Sequence, residues 1–222
     1  MIYGVGLLIL ALNVPQWWVR YVLWRHSKYI EDMPVNGSEL ARHLVSRFEL
    51  TDVSVKKGKE DENYYSPTDK EIVLCPNVYE GKSITAVSVA AHEVGHAIQF
   101  IKNEPVSKLR EKYLDKSFKI KRIGRIILLI IPFGINFIKL PVILFPVVGI
   151  ITMIASVCMY FAILPEEYDA SFNKALPILK EGYISTEHLP AAKSILEAAA
   201  YTYVASAFSD IVNLWRWFKF VK

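Results

Sequence analysis

An apolar block of 40 residues, 126–165, most constrains this chain, because Lys139 is the only charged residue within it. As one continuous helix the block would be about 60 Å long, and two crossings of a ~30 Å hydrocarbon core use that length. Proline and glycine residues interrupt the block, so we expect a helical hairpin with Asn136 and Lys139 near its tip. A short or re-entrant first leg, or a single tilted span, is the alternative.

A second apolar stretch, 2–19, also carries no charge. No basic residue precedes it and no small-residue cleavage site follows it, which favours an uncleaved anchor over a signal peptide. Tryptophan and tyrosine residues come next, followed by Arg25 and Lys28, as at a membrane interface. We therefore expect residues 1–24 to be an N-terminal transmembrane anchor, with the region after it in the cytoplasm.

The region between the apolar stretches, 25–125, has the composition of a soluble domain. Apolar residues recur at helical spacing in 36–50, which predicts a helix with Ser38 as its N-cap. A turn sequence between two short β-type runs predicts a β-hairpin; the three β-type runs are 53–57, 63–65 and 71–75. A helix capped by Ser83 follows.

The remaining part of the chain, 166–222, predicts helices, with Pro190 in a first helical turn. Its last apolar segment, 210–220, contains Asp, Asn and Arg, which favours an interfacial or buried helix over a clean span. The expected fold class is mainly α with a small β-sheet (α+β) in a membrane protein. Its four parts are an N-terminal anchor (1–24), a cytoplasmic region (25–125), a transmembrane or re-entrant hairpin (126–165) and C-terminal helices (166–222).

The cysteine and basic residues indicate which kinds of metal site and which binding partners are expected. Cys75 lies in the polar region and Cys158 in the apolar block, so neither a disulfide framework nor a cysteine zinc cage is expected. The segment 108–125 holds eight lysine and arginine residues. Because apolar spans adjoin it, contact with a lipid bilayer is favoured and a nucleic-acid partner is not expected.

The sequence HEVGH, residues 92–96, has the pattern of a metal site on a helix. His92 and His96 are four residues apart, so both imidazoles lie on one helix face and can reach one ion. Zinc in catalytic sites needs a third protein ligand and an open position for water. Glu93 is the expected general base, which takes a proton from that water.

The third ligand must come from elsewhere in the chain. The strongest candidates lie in LPEEYDAS (164–171), where Glu166, Glu167 and Asp169 follow the apolar block; His188 is a weaker one. Acidic side chains are unfavourable where a chain leaves the membrane, and a bound cation would compensate their charge. A hairpin returns them to the side of the membrane that holds His96, whereas a single span would not.

Several strings of this chain resemble one family over most of its length. They are SITAVSVAAHEVGHAIQ, NYYSPTDKEIVL with NVYEGKS, LPEEYDAS, and AAAYTYVASAF. Together they resemble the YugP-like neutral zinc metallopeptidases of bacterial membranes, whose ligand set is similar to that of gluzincins.

The resemblance implies His92, His96 and Glu167 as ligands of one zinc ion per chain and Glu93 as the catalyst. Glu167 corresponds to the glutamate that precedes an aromatic residue in the family's motif, with Tyr168 in place of Phe. Glu166 stands where the family usually has Val, so it competes with Glu167 for the assignment. Asp169 would then hold a ligand or the fold in place.

The implied function is that of a zinc metalloendopeptidase of the cell membrane, multi-pass, with its active site facing the cytoplasm. Its substrates would be peptides or proteins, with membrane proteins favoured by a site near the bilayer. By analogy, the edge of the strand in 71–75 would hold an extended substrate. The alternatives are a non-catalytic zinc-binding membrane protein and a zinc hydrolase of a non-peptide amide. Nothing in the sequence indicates an oligomeric state.

Overall fold

The computed structural model describes residues 2–137, 139, 141 and 143–207. The chain divides into two compact units. The first, here called the helical unit, comprises Met1–Trp17, Leu109–Leu164 and Thr202–Lys222. The second, here called the site unit, comprises Trp18–Lys108 and Pro165–Tyr201.

The described residues are mainly helical with a small three-stranded sheet, which confirms the expected α+β class. The α-helices are α1 (Ile2–Arg25), α2 (Gly37–Arg47), α3 (Pro76–Tyr79), α4 (Ile84–Ile101), α5 (Ser107–Phe137), α6 (Leu144–Tyr168), α7 (Leu176–Ile178) and α8 (Leu189–Ala200). The strands are β1 (Ser54–Lys57), β2 (Tyr64–Ser66) and β3 (Glu71–Leu74). Two π-helical segments, Asp169–Ala175 and Leu179–Tyr183, flank α7, and a 3₁₀ turn, Thr186–His188, precedes α8.

The sheet has the order β1-β3-β2, so β3 is the central strand. The expected hairpin is present, because β2 pairs antiparallel with β3 and Tyr65 lies opposite Ile72. On its other side β3 pairs in parallel with β1, where Val55 lies opposite Ile72. Both edges of β3 are thus occupied, and the expectation that the strand in 71–75 offers its edge to a substrate is wrong.

Helix starts follow local capping chemistry. Ser83 caps α4, since its side chain accepts a hydrogen bond from the Ala86 amide at 3.1 Å. The N-cap of α2 is Asn36 and not Ser38 as expected. The Asn36 side chain accepts from the Glu39 amide, and the Glu39 carboxylate accepts from the Asn36 amide. This reciprocal capping box satisfies two amides at once, so the helix begins earlier.

Helix α4 forms the centre of the site unit. Every residue from Ser83 to Gln99 is buried, and α2, α8 and the first π-helical segment pack around the helix. Alanine and glycine residues keep it narrow, so these neighbours approach on several sides. An all-round buried helix needs partners for its polar side chains, and the histidines and glutamate of α4 are such residues.

In the sequence of the helical unit, α5 ends just before residues 138–143 and α6 begins just after them. Lys139 has a positive φ of 59°, and a Cβ on Gly124 of α5 would come within 2.5 Å of the Thr152 side chain of α6. The basic segment 108–125 belongs to α5 itself. Tyr160, Ile163 and Ala207 form a small buried cluster in this unit.

Within the described part of the chain, one continuous helical stretch, Val147–Tyr183, contains a segment long and apolar enough to cross a membrane. This stretch runs from α6 through α7 to the end of the second π-helical segment. A second crossing by α5 and the anchoring role of α1 stay predictions, as do the four-part division and a fully spanning hairpin. Pro190 lies in the first turn of α8, as expected. The expected interfacial helix at 210–220 lies outside the described residues.

Candidate metal centre

Helix α4 brings its two histidines together at one point. His92 and His96 are one turn apart on the same face, and their Nε2 atoms are 3.2 Å from each other. Both side chains are buried, with relative exposures of 5% and 1%. Two imidazole nitrogens therefore converge in a space from which water is largely excluded.

Glu167, near the end of α6, completes the convergence. Its Oε2 atom is 3.4 Å from His92 Nε2 and 3.3 Å from His96 Nε2. The three atoms form a nearly equilateral triangle. Four ligands placed tetrahedrally at about 2.0–2.1 Å from zinc are about 3.3–3.4 Å from one another. The donor atoms and their spacing therefore fit one face of a tetrahedral zinc site, and the fourth position is left for water or substrate.

A close backbone contact places Glu167 here. A Cβ on Gly95 would come within 2.8 Å of the Ala170 carbonyl oxygen. Gly95 thus lets the first π-helical segment lie directly against α4, three residues after Glu167. π-helical turns are rare and concentrate at functional sites, and this one contains Asp169 and Ser171.

The second nitrogen of each imidazole ring is also engaged. His92 Nδ1 lies 3.0 Å from Ser171 Oγ. His96 Nδ1 lies 3.0 Å from Gln99 Oε1, which can only accept, so a hydrogen bond between them requires a proton on this nitrogen. Partners of this kind orient metal-binding histidines in proteins. Here they turn both Nε2 atoms toward Glu167.

Asp169 does not touch the three converging residues. Its Oδ2 accepts from Gln99 Nε2 at 2.8 Å and from Lys174 Nζ at 2.5 Å, and its Oδ1 accepts from Asn173 at 2.8 Å. Burial acts to raise the pKa of this carboxyl, but the hydrogen bonds and the Lys174 charge outweigh it and hold the pKa below its usual value. Lys174 also pairs with Glu104 at 2.7 Å.

The two adjacent glutamates occupy different sides of His96. Glu166 is fully buried, and its Oε1 lies 3.4 Å from His96 Nδ1, the nitrogen that faces away from the convergence point. Glu167 lies on the Nε2 side. Glu93, the residue after His92, is buried in α4 with a relative exposure of 6%.

Within the described residues, the group that could hold a metal ion is His92, His96 and Glu167. His188 is not part of it and instead lies 3.8 Å from the carboxylate of its neighbour Glu187. Gln99 and Ser171 were not singled out in the sequence. Sequence spacing could have identified both residues. Gln99 is three residues after His96, and Ser171 is four residues after Glu167, so each shares a helix face with a proposed ligand.

Comparisons with known proteins agree with this geometry. A family model described as "Putative neutral zinc metallopeptidase" matches residues 1–222. A protein of Bacillus subtilis (strain 168), named "Putative membrane protease YugP", is 32% identical over 195 residues, which cover 86% of this chain and 83% of that protein. No solved structure matches the chain. The chain therefore belongs to the family of neutral zinc metallopeptidases that this model describes.

Proposed function

We propose that this protein is a membrane-bound zinc metalloendopeptidase. The observation that carries the proposal is the triangle of His92 Nε2, His96 Nε2 and Glu167 Oε2, with Glu93 buried in the same helix. The family membership and the name of the Bacillus relative support the reaction class.

In this proposal His92, His96 and Glu167 hold one zinc ion. When bound, zinc would polarise the carbonyl of the scissile bond and lower the pKa of water. The Glu93 carboxylate takes a proton from the attacking water as its oxygen bonds to the carbonyl carbon. Glu93 then gives that proton to the amide nitrogen as the C–N bond breaks, and a carboxylic acid and an amine form. The acid loses the second proton of the water to the amine or to solvent, and the two products leave.

The first experiment compares wild type with Glu93→Gln, both loaded with zinc in detergent, on an unfolded protein substrate. New peptide termini are read by mass spectrometry and zinc by elemental analysis. We expect equal zinc and loss of cleavage by several orders of magnitude, because the amide cannot take up the proton. Glu60→Gln, in an exposed loop, is the matched control and should cleave like wild type.

Other outcomes separate the alternatives. Cleavage by Glu93→Gln at the wild-type rate would remove its role as base. Zinc in wild type without cleavage of any protein substrate would favour a non-catalytic zinc protein or a hydrolase of another amide. No zinc in purified and reconstituted wild type would refute the proposal outright.

We further propose that an extended substrate pairs with the outer edge of β2, which no other strand covers among the described residues. This strand contacts α4, and the Tyr65 and Phe100 rings are 5.8 Å apart. The test uses a peptide that the enzyme cleaves, synthesised again in two versions. Each version carries N-methyl groups at one of the two sets of alternate amides, so it loses those backbone donors and keeps all its side chains. We expect a large rise in KM for one set of alternate positions. Equal KM for both sets and the parent peptide would contradict this mode.

The bilayer is the proposed partner of the helical unit. Exposed basic residues Lys112, Lys116, Lys119 and Arg122 follow one face of α5. The same helix continues with exposed apolar residues, including Ile130. A basic stretch leading into an apolar one fits anionic headgroups beside the hydrocarbon core.

A triple variant tests this contact. Replacing Lys112, Lys116 and Lys119 by Gln should reduce the ratio of anionic to neutral lipid that copurifies with the protein. A control triple variant at exposed lysines of the site unit should leave the ratio unchanged; these are Lys59, Lys180 and Lys193. Equal ratios in both variants would refute the contact.

We also propose that the site unit faces the cytoplasm. The exposed Glu187 offers a test, as Glu187→Cys in a Cys158→Ser background leaves Cys75, which is buried. A membrane-impermeant maleimide should label this variant only after the cells are opened. Labelling in intact cells would place the site outside.

A further inference from the structure

We propose that Gln99 is a positioning residue whose side-chain amide is held in one orientation, so that its oxygen directs His96 toward the metal. The inference rests on the proposed zinc site and adds a residue that determines how that site is built. It follows from three hydrogen-bond contacts of one buried amide and from the chemistry of the atoms involved.

The Gln99 amide has only one orientation that satisfies its partners. Its Nε2 donates to the Glu166 carbonyl oxygen at 2.9 Å and to Asp169 Oδ2 at 2.8 Å. Both partners are acceptors, so a flipped amide would place oxygen against oxygen at two points. Gln99 is fully buried, and water is not at hand to relieve such a mismatch.

Two acceptors face His96 Nδ1, and Gln99 Oε1 at 3.0 Å is nearer than Glu166 Oε1 at 3.4 Å. With Nε2 occupied, Gln99 Oε1 faces His96 Nδ1 at 3.0 Å and requires a proton there. A neutral imidazole carries one N–H, so its other nitrogen keeps a lone pair. That nitrogen is His96 Nε2, which lies 3.3 Å from Glu167 Oε2.

The Gln99 amide also fixes the chain beside a second proposed ligand. The carbonyl it contacts belongs to Glu166, the residue immediately before Glu167. One side chain of α4 therefore links His96 to the backbone that carries Glu167. Asp169 is itself held by Lys174, which pairs with Glu104 beyond the end of α4.

His92 provides an internal contrast. Its Nδ1 faces Ser171 Oγ at 3.0 Å, and a hydroxyl can donate or accept by rotating. Ser171 thus does not impose a tautomer on His92 as Gln99 does on His96. We expect the loss of Gln99 to affect zinc binding more than the loss of Ser171.

The test uses Gln99→Met, which keeps length and volume but removes the hydrogen bonds, with Ser171→Ala as the matched control. Zinc affinity is measured by competition with a chromophoric chelator. We expect Gln99→Met to weaken zinc binding roughly 10- to 100-fold, and Ser171→Ala to weaken it less.

A second measurement reads the imidazole directly. In zinc-free protein labelled with ¹⁵N-histidine, the ring nitrogen shifts report which nitrogen is protonated. The three histidines outside the site are replaced by Gln to simplify the spectrum (His26, His43 and His188), and Ser171→Ala identifies the His92 signals. We expect His96 to be protonated at Nδ1 in wild type and to be a tautomer mixture in Gln99→Met. Wild-type affinity together with an unchanged tautomer in Gln99→Met would overturn the proposal.

A third variant serves if Gln99→Met does not fold. Asp169→Ala removes one of the two acceptors that orient the amide, so it should also weaken zinc binding and mix the His96 tautomers. Where Gln99→Met does fold, the losses in the Gln99→Met/Asp169→Ala double variant should not add, because Asp169 acts through Gln99. Unchanged affinity and tautomer in Asp169→Ala, or fully additive losses in the double variant, would refute the mechanism.

The test of the Gln99 role can fail independently of the test of the peptidase function. Wild type that binds zinc and cleaves nothing would end the peptidase proposal, while the affinity and tautomer measurements would still decide the role of Gln99. Conversely, an active wild type with no effect of Gln99→Met on either readout would refute the role of Gln99 alone.

Discussion

Gly95 of α4 lies against the backbone of Ala170, and a Cβ at Gly95 would come within 2.8 Å of the Ala170 carbonyl oxygen. This contact joins the helix that carries His92 and His96 to the segment that follows Glu167. A glycine inside a helix costs about 1 kcal/mol relative to alanine. Here that cost permits an approach that no other residue allows.

Gly95→Ala should therefore lower stability even though alanine is the better helix former. The added methyl group meets backbone, which cannot rotate away, and such overpacking costs about 1–3 kcal/mol. Zinc affinity should fall as well, because Glu167 moves away from the histidines. Denaturant unfolding of zinc-free protein in detergent and chelator competition measure the two effects. Higher stability with unchanged zinc affinity would show that the contact does not matter.

Glu167→Ala should abolish or strongly weaken zinc binding while the protein still inserts into membranes. Glu166→Gln, the control one residue away, should retain zinc, because its side chain lies on the Nδ1 side of His96. Elemental analysis of purified membrane fractions measures both. The reverse pattern would identify Glu166 as the ligand, and full zinc in both variants would show that neither glutamate is required.

Removal of zinc should lower the thermal unfolding temperature of the site unit. Without an ion, the three buried donor groups place electron-rich atoms against one another, which is unfavourable. An ion that binds only the folded state also adds its binding free energy to the stability. At a free zinc concentration 1,000 times Kd that addition is about 4 kcal/mol. Unfolding scans with zinc, with chelator and after zinc is restored test this. His92→Ala should show no difference between the three conditions.

Ser88→Ala should raise stability slightly without affecting zinc. Ser88 lies one turn before His92 and is fully buried, and among the described residues its hydroxyl has no hydrogen-bond partner. Alanine removes a buried polar atom and has the higher helix propensity, together worth about 0.5–1 kcal/mol. Denaturant unfolding compares it with wild type. A loss of stability would mean that the hydroxyl has a bonding role in the folded protein.

Features set by neighbours along the chain were predictable. The spacing of His92 and His96, the Ser83 cap and the β2–β3 hairpin depend on residues a few positions apart, and each is present as expected. The Ser38 cap was wrong because Asn36 and Glu39 form a reciprocal capping box, although their spacing in the sequence is a known signature of such a box. The expected substrate edge on the strand in 71–75 was wrong because β1 pairs with the side of β3 that the hairpin leaves open.

The sequence by itself determined the HEVGH helix, the class of ligand and the acidic segment from which a third ligand is drawn. Only the tertiary structure decided which atoms meet: Glu167 at the Nε2 side of His96, Glu166 at the Nδ1 side, and Gln99 between α4 and Asp169. Helix periodicity is a local property that can be read from spacing. The direction of the His92 side chain toward Ser171, 79 positions away, depends on how two helices pack, and the close approach at Gly95 is part of that packing.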